Sequence, residues 1–237
     1  MKVIVVIFWL CVVPVLLTWN LVTFYRTDLP PGTLTSNEGV VVKEGEEMIT
    51  FEPVANRREV AIIFLQSGLA DPKSYAPLCR KLSESGYVVN LMKMPWRLPQ
   101  FHCTRLMSLF DFDKKKYVIG GHGQGASAAS QFVKDHPNLL RGLFILGAKG
   151  TRNIDLSASN ISCIKIYAEQ DDINESNESL PTENRLPDAT RLVLIKGGNY
   201  SQFGYLGNRY GDLTPEISLE DQQATVATEM ISFLDSL

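Results

Sequence analysis

Between an apolar run, Tyr117-Val118-Ile119, and a helix-forming stretch from Gln124 to Asp135, the chain places Gly121-His122-Gly123-Gln124-Gly125. Glycine at this density suits a strained backbone and close approach, here a sharp turn from a buried strand into a helix lying against it. The strand follows the charged Lys114-Lys115-Lys116. The helix is rich in small residues, Ala126, Ser127, Ala128, Ala129 and Ser130, which let it lie close to the strand. Glycine-rich turns of this kind also bind phosphates and dinucleotides. Neither fingerprint fits, because no Lys-Ser/Thr follows the glycines and their spacing is not Gly-x-Gly-x-x-Gly.

The rest of the chain alternates strand and helix around this turn. Val40-Val41-Val42 and Met48 to Phe51 suggest a hairpin, and Val60 to Leu65 a buried strand. Asp71-Pro72 opens a helix with Asp as N-cap and Pro in the first turn, and Gly86 ends it. Further strands are expected at Tyr87 to Met92, Leu143 to Leu146, Ile161 to Tyr167 and Leu192 to Ile195, a short helix at Phe101 to Phe110, and a closing helix from about Ser218 to Leu234. Strands separated by helices imply a mostly parallel sheet with right-handed crossovers. At 237 residues and 45% hydrophobic, the chain has room for one such α/β domain. A net charge of −3 offers no basic surface for nucleic acid. The cysteines at 11, 79, 103 and 163 have no zinc-ligand spacing and suit small buried fillers better than a disulfide framework. No metal or cofactor motif is present.

From Val3 to Leu17 there is no charged or polar side chain, and the apolar character continues to Tyr25. At about 1.5 Å per residue a helix of this length crosses the ~30 Å hydrocarbon core. The stretch 1–25 is read as a single-pass membrane anchor, with a cleaved signal peptide as the alternative, which would make the domain secreted. No small-x-small cleavage site follows it, and Trp19, Phe24 and Tyr25 stand where interfacial aromatics would. Lys2 and Arg26 put one positive charge near each end, so the side of the membrane stays open. Residues 26–38 read as a linker and 39–237 as the domain. On a lumenal domain Asn160, Asn174, Asn177 and Asn199 would be glycosylation acceptors.

Several segments together are similar to one family. They are Phe64-Leu65-Gln66-Ser67-Gly68-Leu69-Ala70-Asp71-Pro72 with Tyr75-Ala76-Pro77-Leu78, then Met94-Pro95, Val118-Ile119-Gly120-Gly121-His122, Tyr167-Ala168-Glu169-Gln170-Asp171 and Gly197-Gly198-Asn199-Tyr200-Ser201-Gln202-Phe203-Gly204. In this order they resemble the compact, often membrane-anchored α/β-hydrolases of the hydrolase family 5 type, from about residue 38 to the C-terminus. The resemblance implies an α/β-hydrolase fold, a mostly parallel sheet with helices on both faces and little or no lid. It also implies a nucleophile, acid and histidine in that chain order.

The triad-equivalent positions are Gly123, Asp171 and Tyr200, so only the acid remains. Glycine has no group to attack a carbonyl, and a phenol with pKa near 10 is a poor base at neutral pH. The family's Pro-Gly-Gly is altered to Gln66-Ser67-Gly68. The expectation is a pseudoenzyme: a membrane-tethered, non-catalytic homologue that binds a small ligand or a protein partner. Backbone N–H groups of Leu69 and Gln124 would form an oxyanion-like site for an anionic or carbonyl ligand, in a pocket over Gly123 enlarged by the missing serine and bordered by Gly68, His102, His122 and Ser201. The alternative is an esterase-like hydrolase with a rebuilt, non-serine site in which His102 or Asp171 acts as general base on water. A third reading is a purely structural subunit of a membrane assembly whose pocket is vestigial. The polar, acidic region 169–187 leans slightly toward interaction but reads first as a solvated loop. Ser67 and Ser201 would serve as nucleophiles only if a histidine reached them. His122 is expected to pack beside the turn, His136 to be solvated or capping, and Asp171 to accept from loop N–H groups or from the Tyr200 hydroxyl.

Overall fold

A computed structural model describes residues 2–23, 28–148, 154–171 and 185–237. The chain opens with α1 (Lys2–Thr23), followed by β1 (Val40–Glu44), β2 (Met48–Pro53), β3 (Val60–Leu65), α2 (Ala76–Glu84) and β4 (Val88–Met92). Then come α3 (Leu106–Leu109), β5 (Lys116–His122), α4 (Gln124–Asp135), β6 (Gly142–Leu146), β7 (Ser162–Ala168), β8 (Arg191–Ile195) and α5 (Leu219–Asp235). The strands form one sheet in the order β1-β2-β4-β3-β5-β6-β7-β8. β1 and β2 are antiparallel to their neighbours, and all strands from β4 to β8 pair in parallel.

The central strands are continuous apolar runs because helices cover both faces of the sheet. On one face Phe64, Leu78, Leu82, Phe144, Met230 and Phe233 join α2 and α5 to the sheet. On the other, Ile63, Ile119, Ala126, Ala129, Phe132 and Leu143 join α4 to it. α4 comes close enough that a β-carbon on Gly125 would overlap the backbone carbonyls of Leu65 and Gln66. Strand order reverses between β3 and β5, whose last residues are in register, Leu65 opposite Gly121. A crevice at the carboxyl end of such a switch point is where this architecture places its sites.

Local signals set the helix ends. The Asp71 carboxylate accepts from the Lys73 N–H at 2.9 Å, and Pro72 starts the turn that leads into α2. Ser218 caps α5 by accepting from the Asp221 N–H at 3.0 Å, with Glu220 and Asp221 in the first turn. Substituting Asp71→Ala is expected to cost about 1 kcal/mol of unfolding free energy, measured as a shift in urea midpoint at unchanged slope.

Three expectations need correction. The short helix expected over 101–110 is only the four-residue α3, preceded by 3-10 turns at Pro95–Arg97, Pro99–Phe101 and Cys103–Arg105, because the two prolines remove the donors a continuous helix needs. The stretch read as a linker is tied down from its middle onward. Thr33 is buried, and Arg80 Nη1 donates to the carbonyls of Gly32, Thr33 and Thr35 at 2.9, 3.3 and 2.7 Å. Asn199 is buried with its side chain bonded to Leu213 O and Gln202 N, so it is no glycosylation acceptor. Asn174 and Asn177, most of the 169–187 region and the interfacial Phe24 and Tyr25 lie outside the described residues, as does the side chain of Trp19.

α1 carries apolar side chains on every side, and those from Val5 to Leu10 are all at least half exposed. Its described side chains are Lys2 and those from 5 to 18. Among the described residues no helix is long and apolar enough to cross a membrane.

Candidate functional site

β5 delivers Gly123 at the head of α4 with φ 53° and ψ −115°, a backbone state outside the regions comfortable for a residue with a β-carbon. Its own N–H donates back to Leu146 O at 3.0 Å. The turn itself therefore has the shape the sequence implies. What stands over it differs from the expectation.

Among the described residues, Tyr200 and Ser67 fill the space directly above Gly123. A β-carbon there would overlap the Tyr200 hydroxyl oxygen, lie 3.1 Å from Tyr200 Cζ and come within 2.9 Å of Ser67 Oγ. The Tyr200 and Ser67 hydroxyl oxygens are 2.6 Å apart, so each holds the other in place. Tyr200 and Ser67 are both almost fully buried. The residue at the histidine position has thus entered the volume that a serine side chain would need. The missing side chain enlarges nothing.

Beneath this pair lies a second buried layer. The Tyr200 ring packs on His122 with centroids 4.0 Å apart and planes tilted by 42°, and Phe203 flanks the imidazole at 5.3 Å. His122 Nδ1 is 2.8 Å from the Tyr75 hydroxyl, which also accepts the Ser67 N–H at 3.2 Å. His122 Nε2 is buried without a hydrogen-bond partner. Burial, reinforced by the positive charge of Arg209, drives the His122 pKa well below its ordinary value. The imidazole is neutral, packed and out of reach of solvent. His122 packs under the turn as expected and belongs to the plug that fills the site.

The remaining sequence-predicted positions separate into those joined to this cluster and those occupied elsewhere. Gly68 is buried against the side-chain amide of Gln124, which lies across its α-carbon. The Leu69 N–H is not available to a ligand, since it donates to the Arg97 carbonyl at 2.7 Å. The carbonyl comes from the neighbouring loop, and Leu69 reaches it with φ +61°. Ser201 is buried, its N–H bound to Asp212 Oδ2 at 2.7 Å and its hydroxyl accepting the Arg209 N–H at 3.2 Å. It is a loop brace. His102 is half-buried between two 3-10 turns that pack on α4, and no described hydrogen bond joins it to the cluster. Asp171 is buried close enough for its charge to push the Tyr200 phenol pKa upward, while Ser67 and Arg209 both hydrogen-bond to the Tyr200 side chain.

Burial is the main cause of the raised Tyr200 pKa, opposed by Arg209, whose guanidinium carbon sits 5.2 Å from the ring centroid. A phenol held neutral this way cannot take a proton from Ser67. Ser67 therefore has a partner but no base. Four contributors escaped sequence reasoning: Tyr75 under His122, the Arg97 carbonyl, Arg209 over Tyr200 and Asp212 under the 200–201 amides. Ser67 stands out in the sequence as the residue replacing a glycine of the family pattern and as a nucleophile candidate, but nothing along the chain points to its pairing with Tyr200. Gln66 next to it is fully buried, and neither atom of its amide has a hydrogen-bond partner.

Comparison with known proteins accords with this architecture. A family model described as alpha/beta hydrolase family matches residues 61–224. No curated protein matches the sequence. Among solved structures, the chain is similar to a predicted CIB-like hydrolase from Thermoplasma acidophilum, with 11% identity over 82% of this chain and 100% of that one, at a TM-score of 0.58. A dienelactone hydrolase from Anabaena variabilis shares 13% identity over 84% and 97% of the two chains, with a TM-score of 0.56. An alpha-beta serine hydrolase homologue from Coxiella burnetii shares 11% over 82% and 98%, with a TM-score of 0.54. At such identities the structures speak for the fold alone. With the family model covering well over half of its length and an eight-stranded, mostly parallel sheet layered between helices, this chain belongs to the alpha/beta hydrolase family.

Proposed function

We propose that this protein is a non-catalytic α/β-hydrolase homologue, tethered to a membrane by α1, that works by binding or scaffolding a protein partner. One observation carries the loss of catalysis: the Tyr200 hydroxyl, bonded to Ser67, occupies the space of a side chain at Gly123. A substrate carbonyl arriving at this turn meets a buried phenol instead of a nucleophile. The Leu69 N–H that would steady a developing oxyanion is spent on Arg97 O. Small-ligand binding over Gly123 loses its support for the same reason, which moves the weight toward a protein partner.

The tether is supported by composition and exposure. A helix apolar on all sides belongs in a core or in lipid, and Val5 to Leu10 of α1 face neither Phe64 nor Phe132 in the two domain cores. Pro14 within it is tolerated in lipid-embedded helices.

Purified full-length protein in detergent is expected to show no turnover of p-nitrophenyl esters above buffer and no labelling by a fluorophosphonate probe. Mass-spectrometric detection of the probe on Ser67 or Ser201 would overturn the non-catalytic reading. The rebuilt-hydrolase alternative makes the opposite forecast for ester turnover, and its loss in H102A/D171A would establish it.

A further inference from the structure

Among the described residues outside α1, the three most exposed aromatic side chains are Trp96 at 84%, Phe101 at 71% and Tyr210 at 100%. All three lie on loops of one edge of the sheet. Trp96 and Phe101 belong to the turns that leave the carboxyl end of β4, and Tyr210 follows Arg209, which covers the Tyr200 ring beside the carboxyl ends of β3 and β5. A protein surface seldom gathers its large exposed aromatics on one side without a use for them.

The backbone under Trp96 points the same way. Trp96 and Arg97 are consecutive non-glycine residues at φ +55° and +57°, a conformation that persists only where its surroundings enforce it. Here the enforcement is the 2.7 Å hydrogen bond from the Leu69 N–H to the Arg97 carbonyl. The atom that a hydrolase would aim at an oxyanion is used to hold a loop that lifts an indole into solvent.

The chain's route toward α1 says what this edge faces. α1 ends at Thr23, and the described chain resumes at Asp28. Pro30, Pro31 and Thr33 line a groove with Pro77 at the start of α2, Tyr205 and Glu220. Tyr205 N–H donates to Ser74 O, and Pro77 and Glu220 stand at the starts of α2 and α5, so one end of this groove lies at the same edge of the sheet, while Arg80, Lys81 and Glu84 carry it on along α2. At no more than ~3.6 Å per residue, the few residues between Thr23 and this anchored stretch leave the edge short reach from the end of α1.

We propose that this edge seats on a lipid bilayer, with Trp96 and Phe101 entering the boundary between headgroups and acyl chains, Tyr210 at headgroup level and Arg97 pairing with lipid phosphate. Trp and Tyr favour that depth, and a neighbouring arginine suits the phosphate layer. The proposal rests on the tether described above, and the two are tested by separate tryptophans. The chain has three tryptophans, at 9, 19 and 96, so W9F/W19F leaves Trp96 alone and W19F/W96F leaves Trp9 alone.

Each full-length variant is reconstituted into phosphatidylcholine–phosphatidylglycerol vesicles with and without lipids brominated on the upper acyl chain. Trp9 quenched by brominated lipid reports insertion of α1. With interfacial burial of the indole, Trp96 is expected to lose about half its emission and to shift to the blue. Trp96 emission unaffected by bromine, with Trp9 quenched, overturns the seating and leaves the tether standing. Trp9 unaffected overturns the tether, and quenching of Trp96 then decides the seating on its own. Because Trp96 is so exposed, its replacement in W19F/W96F removes no core packing, and the Trp9 reading in that variant is not confounded by a lost core contact.

Discussion

Replacing Gly123 by serine, the residue its family resemblance implies, is expected to destabilise the protein by about 2–6 kcal/mol and to create no nucleophile. The side chain would be forced into the Tyr200 hydroxyl and against Ser67 Oγ. Overpacking of this kind costs about 1–3 kcal/mol, and a β-carbon at the Gly123 backbone angles adds about 1–3 kcal/mol of strain. For a chain of this size the loss corresponds to a fall of about 10 °C in melting temperature.

The partner substitution supplies the discriminating control. Tyr200→His shortens the side chain and withdraws the hydroxyl from Ser67, so in G123S/Y200H the new serine has room. The double variant is expected to be more stable than the sum of the single changes by at least about 1 kcal/mol, measured in a double-mutant cycle by urea unfolding. A G123S protein as stable as the parent would show that Tyr200 does not fill the nucleophile's volume, and the non-catalytic reading would lose the observation on which it stands. Additive single and double changes would show that the two sites do not meet.

The second large effect is a dependence of stability on pH that traces to His122. Its folded pKa lies well below the ordinary value because the ring is fully buried, with Arg209 adding to the shift. The unfolded chain protonates this histidine below about pH 6.5, whereas the folded chain does not. Stability is therefore complete above that pH and is lost as the pH falls, with a slope approaching about 1.4 kcal/mol per unit. Between pH 7 and pH 5 the loss is expected to be about 2 kcal/mol. The groups that face the ring are Tyr75, Tyr200 and Arg209, and burial raises both phenols further above that window. Carboxylates such as Glu44, held low by Lys93 and Lys73, contribute only at lower pH. His122→Asn, which keeps an acceptor for the Tyr75 hydroxyl, should flatten the profile between pH 7 and 5. An unchanged slope in that variant would place the titrating group elsewhere.

The framework of the fold was legible because its signals are local. Val60 to Leu65 is an uninterrupted apolar run and became β3 with those bounds, and the small residues after Gly123 became α4 from Gln124 to Asp135. Asp71-Pro72 capped the turn into α2 because its side chain needs only the next two residues. The 95–110 segment was opaque for the opposite reason. Positive φ at Trp96 and Arg97 has no glycine to announce it, and the bond that enforces it comes from Leu69 on another loop.

The site shows the same division. Gly123, Asp171 and Tyr200 are the positions the family resemblance singles out, and on our proposal their identities leave the turn without nucleophile or base. Where the tyrosine would go was beyond reach of any pattern along the chain. It is decided by Ser67, which offers its hydroxyl a partner at 2.6 Å, and by the flat face of His122 beneath the ring. An absent side chain at Gly123 suggests a vacancy when read alone. In three dimensions, two substituted neighbours consume it.

That the Tyr200 hydroxyl and a Gly123 side chain exclude one another constrains how the two positions can vary. A serine introduced at 123 alone is opposed by that overlap, and a tyrosine at 200 is comfortable only over a residue without a β-carbon at 123. The two positions are therefore expected to change together rather than one at a time. Close packing here couples two residues 77 positions apart in sequence into one unit of substitution.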